Sequence, residues 1–138
     1  YRFVKNASST DTTLMLDLLG PTGQSAKGVA VFLTADTDKV DWVNPTAGSQ
    51  FPLGETPNLF AYKVSTSNLQ IGIFQKGGAA TTYDGTAPIL TLGLKLKSSA
   101  DQGTVVFGLQ GSPMSLELDG KTSQNEQITI NCGTVSVE

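Results

Sequence analysis

The sequence predicts an all-β fold, an antiparallel sandwich of about nine short strands. Three observations carry that reading. Leucine, isoleucine and valine recur at every second position in several segments, turn residues punctuate the intervals, and no stretch of about a dozen residues shows apolar positions at helical spacing behind a cap. The clearest segment runs through Leu90, Leu92, Leu94 and Leu96, interleaved with Thr91, Gly93, Lys95 and Lys97. A leucine every second residue would wrap around a helix, but it lines one face of a strand.

The remaining elements come in chain order. A first strand is expected over 1–4, and a second where Leu14, Leu16 and Leu18 point one way with Thr13, Met15 and Asp17 the other. Gly20-Pro21-Thr22-Gly23 then supplies the fixed and positive φ values of a tight turn. Val29, Val31 and Leu33 form the next inward set, with Ala30, Phe32 and Thr34 opposite them. Strands over 40–43 and 60–64 come next, the first stopped by Asn44-Pro45. Leu69, Ile71 and Ile73 point inward, which leaves Gln70, Gly72 and Phe74 outward.

Gly77-Gly78 and Asp84-Gly85 turn the chain into the strand over 89–97, whose outward set is Ile89, Thr91, Gly93, Lys95 and Lys97. After Asp101-Gln102-Gly103, strands are expected over 104–109 and 115–118, and after Asp119-Gly120 a last one over 128–137. There Ile128, Ile130 and Cys132 share a face that Val135 and Val137 continue if Gly133 absorbs one extra residue as a bulge.

Composition narrows the function. The 138 residues make one domain, 1–138, and contain no histidine, one cysteine and 15% charged residues, with a net charge of -3. Without histidine the chain lacks the commonest general base near neutral pH and the commonest metal ligand. One cysteine excludes an internal disulfide and a multi-cysteine zinc site, and Cys132 reads as a small inward hydrophobe. An acidic, evenly scattered charge argues against nucleic acid. No apolar run approaches the roughly 18 residues of a membrane-spanning helix. The chain begins at Tyr1 with no charged leader and apolar stretch, which reads as a domain cut from something larger.

The individual candidates for chemistry are weak. Asp36, Asp38 and Asp41 are the densest carboxylate group, with Asp17 a possible spatial neighbour. They follow a strand where Asp supports a turn, and their spacing lacks the glycine and terminal Glu of an EF-hand loop. Gly77-Gly78 lacks the Lys-Ser/Thr of a phosphate cradle, and Asn6-Ala7-Ser8 matches a glycosylation sequon, a pattern frequent by chance. A serine nucleophile would need a lysine base that no motif places. No catalytic residue, metal site or cofactor is therefore assigned. The outward residues are more informative: if the strands over 28–34, 69–75 and 89–97 are neighbours, they present a flat surface of small and apolar residues edged by Lys and Asp.

Over nearly its whole length the chain resembles the cohesin domains, nine-stranded jelly-roll sandwiches of extracellular bacterial and archaeal scaffolding proteins. The resemblance lies in segment order: 13–20, then KGVAVFLTADTDKVDW over 27–42, LQIGIF over 69–74, DGTAPILTLGLKLKSSADQGTVVF over 84–107, and the closing 119–137 with its DG turn and Gly133. It implies non-catalytic binding of a dockerin, a small helical module that would itself carry any calcium. Carried onto this chain, the partner-binding positions are Thr34, Asp36, Gln70, Gly72, Phe74, Ile89, Thr91 and Gly93. Hot spots are expected at Phe74 and Ile89, with Asp36 and Lys95 at the rim. The chain departs from the pattern at Ala35-Asp36-Thr37, where many cohesins have Tyr-Asp-Pro. Two other readings suit a sandwich of this composition: a carbohydrate-binding module, whose aromatic platform would draw on Trp42, Tyr62 and Tyr83, and a structural spacer of a cell-surface protein.

Overall fold

The computed structural model describes residues 1–10, 12–35, 40–51, 58–65, 68–75 and 80–97 and, as strand backbone, 103–105, 107–117 and 135–137. All regular structure among them is β. The strands are β1 (Arg2–Lys5), β2 (Thr13–Leu19), β3 (Ser25–Ala26), β4 (Gly28–Ala35), β5 (Val40–Ala47), β6 (Asn58–Ser65), β7 (Asn68–Gln75), β8 (Thr81–Thr82), β9 (Leu90–Leu96), β10 (Gly103–Val105), β11 (Phe107–Glu117) and β12 (Val135–Val137). Two four-stranded sheets carry the fold, in the orders β1-β2-β9-β5 and β11-β4-β7-β6, with small ribbons β3-β8 and β10-β12 beside them. Every pairing is antiparallel. The long strands change sheets as the chain proceeds, β2 to β4, β4 to β5, β5 to β6, β7 to β9 and β9 to β11, which is the sheet switching of a jelly roll.

The alternation in the sequence sets the core. Leu14, Leu16 and Leu18 of β2 lie opposite Leu94, Leu92 and Leu90 of β9, and Val29, Val31 and Leu33 of β4 lie opposite Ile73, Ile71 and Leu69 of β7. All twelve are buried and meet in one cluster between the sheets, together with Phe51 and Tyr83. Fully burying a side chain of this size contributes about 1.5–3 kcal/mol, and a period of two puts every one of them on the same side. No polar or charged side chain is buried among the described residues. The rings of Phe51 and Tyr83 meet edge-on at 6.1 Å, and Tyr1 meets Tyr83 edge-on at 5.7 Å. Burial pushes the Tyr83 phenol far above its ordinary pKa, with the neighbouring Tyr1 adding to the effect.

The turns at either side of Tyr83 behave as expected. Gly23 and Gly85 have φ values of 81° and 80°, which only glycine adopts without strain. The Asp84 carboxylate accepts from the Thr86 and Ala87 backbone N–H groups at 2.7 Å each, and these bonds hold its pKa below the ordinary carboxylate range.

Three elements differ from expectation. Asn44-Pro45 is no turn: β5 runs on to Ala47, and the register slips by one residue between Val43 and Thr46. Proline cannot donate to a ladder, and β5 is an edge strand, so the residue is absorbed as a bulge. The expected strands over 104–109 and 115–118 are rearranged as well. β10 pairs with β12, whereas β11 runs unbroken as far as Glu117 beside β4, with its register displaced between Leu109 and Met114. Gly111, Ser112 and Pro113 sit in that displacement and make one bulged strand look like two. Finally, the ribbon β3-β8 is too short for any periodicity to announce it. Cys132, Gly133, Gly77-Gly78 and most of the expected 128–137 strand lie outside the described residues.

Candidate protein-docking face

The outer face of the sheet β11-β4-β7-β6 is organised in rows that cross the strands. Register places Gly28, Phe74 and Leu59 in one row, Ala30, Gly72 and Ala61 in the next, Phe32, Gln70 and Lys63 in the third, and Thr34, Asn68 and Ser65 in the last. The second row is made of the smallest side chains and is flanked by larger ones. A shallow depression of about 290 Å³ runs along it, lined among others by Ala30, Phe32, Ala61, Lys63, Gln70 and Gly72. The face is thus a trough with an apolar floor, and Lys63 is the one charged side chain among its described residues on β4, β6 and β7.

Phe74, in the row beside the depression, is fixed by a close approach. A Cβ on Gly28 would run into the Phe74 ring, and one on Gly72 would lie 2.8 Å from it. The ring therefore lies down over two glycines, which holds it half-buried against the sheet with part of its surface in solvent. Leu59 next to it is 55% exposed, an unusual exposure for a leucine in a strand.

The expected site residues divide between two opposite surfaces. Gln70, Gly72 and Phe74 share the trough face, and Thr34 stands on β4 between Asn68 and Gly108 by register. Thr91 and Gly93 do not join them, because β9 pairs with β2 and β5 in the other sheet. Thr91 donates to Asp17 Oδ1 at 2.5 Å, and Asn6 Nδ2 donates to Asp17 Oδ2 at 2.8 Å. Gly93 is buried under Met15 and Val43: a Cβ there would meet Met15 Sδ at 2.5 Å. Lys95, expected at the rim, lies on the same far surface opposite Asp41 and Thr13.

Ile89 is the plainest correction. It is fully buried, as is Leu90, and two consecutive residues of a regular strand cannot share a face. The strand starts only at Leu90, and the residue before it is gripped on both sides: Ile89 N–H donates to Leu18 O at 2.8 Å, and Gly48 N–H donates to Ile89 O at 2.9 Å. Parity counted back from the leucines therefore fails at the residue just before the strand. Asp36 and Asp38 lie outside the described residues. Asp17 sits between Asn6 and Thr91, while Asp41 makes an exposed pair with Lys97 at 3.7 Å.

The contribution of β6 is invisible to sequence reasoning. The strand itself is legible, but nothing in a local pattern says that Leu59, Ala61 and Lys63 stand beside Phe74, Gly72 and Gln70. The aromatic residues that a glycan platform would use are scattered. Tyr83 is in the core, Trp42 packs partly against the core from β5, and Tyr62 stands on β6 in the other sheet, 43% exposed. No group of three or more Cys, His, Asp or Glu side chains capable of holding a metal is present among the described residues.

No protein-family model matches the sequence, and no curated protein does. Solved structures, by contrast, match over nearly the full chain. The second type II cohesin module of the cellulosomal adaptor ScaA scaffoldin of Acetivibrio cellulolyticus superposes with a TM-score of 0.72 at 12% identity, covering 97% of this chain and 92% of that one. The sixth cohesin of scaffoldin B from the same organism, solved in complex with a mutant Cel5 dockerin, gives 0.67 at 18% identity over 99% and 96% of the two chains. A non-cellulosomal cohesin from the hyperthermophilic archaeon Archaeoglobus fulgidus gives 0.60 at 12% identity over 86% and 74%. The fold of this chain is the cohesin fold.

Proposed function

We propose that this chain is a non-catalytic docking module that binds a helical, dockerin-type partner through the outer face of β11-β4-β7-β6. The observation that carries the reading is the depression over Ala30, Gly72 and Ala61, bordered by Phe32, Gln70 and Lys63, with Phe74 and Leu59 in the next row by register. Rigid strands hold this floor, so an incoming side chain meets a preformed surface and little ordering entropy is lost on binding. Phe74 and Phe32 are the aromatic anchors on which affinity would concentrate. Cohesin structures solved with dockerins bound supply the partner class. Calcium, where required, belongs to the partner. An extracellular or cell-surface location goes with the same reading.

Titration calorimetry against calcium-loaded dockerin modules, with and without chelator, tests the proposal. Binding to at least one module is expected, lost on chelation and weakened at least about tenfold by Phe74→Ala, the usual scale of an aromatic hot spot. Heat that is unchanged by Phe74→Ala and Phe32→Ala would remove the trough face from the reading.

A further inference from the structure

A free sheet edge is a template for another strand, and folded proteins blunt it with short strands, charges, prolines or bulges. Three of the four strands that end the two large sheets carry such a device. β1 has four residues and begins and ends on Arg2 and Lys5, β5 carries Pro45 and a bulge, and β11 carries Gly111 and Pro113 in its displaced register. β6 carries none. Its eight residues pair with β7 without a register shift, from Asn58 opposite Gln75 to Ser65 opposite Asn68, and they contain no proline, no glycine and one charge, Lys63.

The exposed large apolar side chains among the described residues, Leu59, Tyr62 and Val64, all stand on this strand, and they stand on both of its faces. Leu59 shares the outer face with Ala61 and Lys63. Tyr62 and Val64 have the parity of Phe60, which packs against the core, and the rings of Phe60 and Tyr62 lie 6.0 Å apart. A partner laid on the outer face would reach Leu59 and leave Tyr62 and Val64 in water. A strand added alongside β6 meets side chains on both faces at once.

We infer that β6 is a self-association edge: it pairs antiparallel with β6 of a second copy, with Tyr62 opposite Tyr62, and joins two β11-β4-β7-β6 sheets into one. A two-fold axis perpendicular to the joined sheet keeps each face on its own side, so it sets one residue opposite its own copy. With Lys63 in that place two like charges would oppose each other, and with Ala61 there Val64 would face Asn58. Tyr62 instead sets Phe60 opposite Val64, Leu59 opposite Ser65 and Ala61 opposite Lys63. Aromatic and β-branched residues of one face then meet each other, and no like charges are opposed. The ladder over 59–65 is about 20 Å long. A contact one strand wide falls short of the roughly 1,200 Å² of stable complexes, so the dimer is reversible and depends on concentration.

Tyr62→Lys and Tyr62→Glu provide the test, since each opposes like charges in its own dimer and unlike charges in the mixture. Thermal melts against wild type establish that each variant is folded. In sedimentation equilibrium the wild-type chain is expected to pass from monomer to dimer as concentration rises. Each variant alone should self-associate at least about tenfold more weakly, and an equimolar mixture at low salt should regain the dimer. Register is read separately in a Cys132→Ser background: Leu59→Cys and Ser65→Cys should form a disulfide when mixed and oxidised. Neither should cross-link to itself, because each stands about 20 Å from its own copy. The β6 amides, quick to exchange in the dilute chain, should become protected as concentration rises. A wild-type chain still monomeric at about 1 mM overturns the inference, as does a dimer that persists in both Tyr62 variants. Protection of β6 that ignores concentration overturns it too, because the edge is then covered within one chain.

Discussion

At the scale of single residues, Ile89 and Asp84 bracket one short turn and do opposite work. Ile89 is fully buried, so Ile89→Ala leaves a cavity and should lower unfolding free energy by about 2–5 kcal/mol in urea titrations. The fraction that stays folded should bind the partner with wild-type affinity, because the residue never reaches the trough face. A selective loss of affinity with unchanged stability would mean that Ile89 contacts the partner after all. Asp84 is exposed, and its carboxylate caps two backbone N–H groups that hold its pKa low in the folded chain. A group whose folded pKa lies below its unfolded value contributes stability above the unfolded value, near pH 4, and loses it as pH falls through the folded one. The gap in urea midpoint between wild type and Asp84→Asn should therefore be largest at pH 5–7 and should close as the pH drops towards 2. A gap of constant size across that range would show that the charge on Asp84 is irrelevant to the turn.

At the scale of elements, the central strands and the edges differ in what holds them. β9 is bonded on both sides, to β2 and β5, and buries Leu90, Leu92, Leu94 and Leu96, whereas β6, among the described strands, is bonded only to β7 and leaves Leu59, Tyr62 and Val64 in solvent. Amide hydrogen exchange should then be slowest in β9 and in β4 and β7, approaching the rate set by global unfolding, and at least about a hundredfold faster in β6 and β1. Equal protection of β6 and β9 would mean that β6 has a partner strand of its own. The same contrast explains what is legible in the sequence. Strands with a strict alternation, β2, β4, β7 and β9, show their inward leucines, isoleucines and valines directly, because burial on one side imposes a period of two. β5 and β11 look shorter than they are, ending at Pro45 and ahead of Met114, since a proline or glycine looks alike in a turn and in a bulge. Strand partners leave no local signal, so parity alone groups Thr91 and Gly93 with Gln70 and Phe74 although two different sheets carry them.

At the scale of the whole molecule, a two-layer sandwich has two outer faces, and its two sheets here present unlike surfaces. The face of β1-β2-β9-β5 is tied together by its own polar contacts: Asp17 accepts from both Asn6 and Thr91, Asp41 pairs with Lys97, and Gly93 is already covered by Met15 and Val43. Asp17 is held within the chain by two hydrogen bonds, and an exposed pair such as Asp41–Lys97 contributes no more than about 1 kcal/mol to anything. The face of β11-β4-β7-β6 instead keeps Phe74, Phe32 and Leu59 beside a strip of small residues, an arrangement that folding alone does not require. One experiment separates the two. Phe74→Ala with Leu59→Ala, and independently Thr91→Ala with Lys95→Ala, are compared for stability and for affinity towards the same calcium-loaded dockerin. The first pair should weaken binding at least about a hundredfold while costing little stability, because neither side chain belongs to the buried core. The second pair should leave affinity within about twofold and lower stability modestly through the lost Thr91–Asp17 bond. The reverse pattern would move the docking surface to the other sheet.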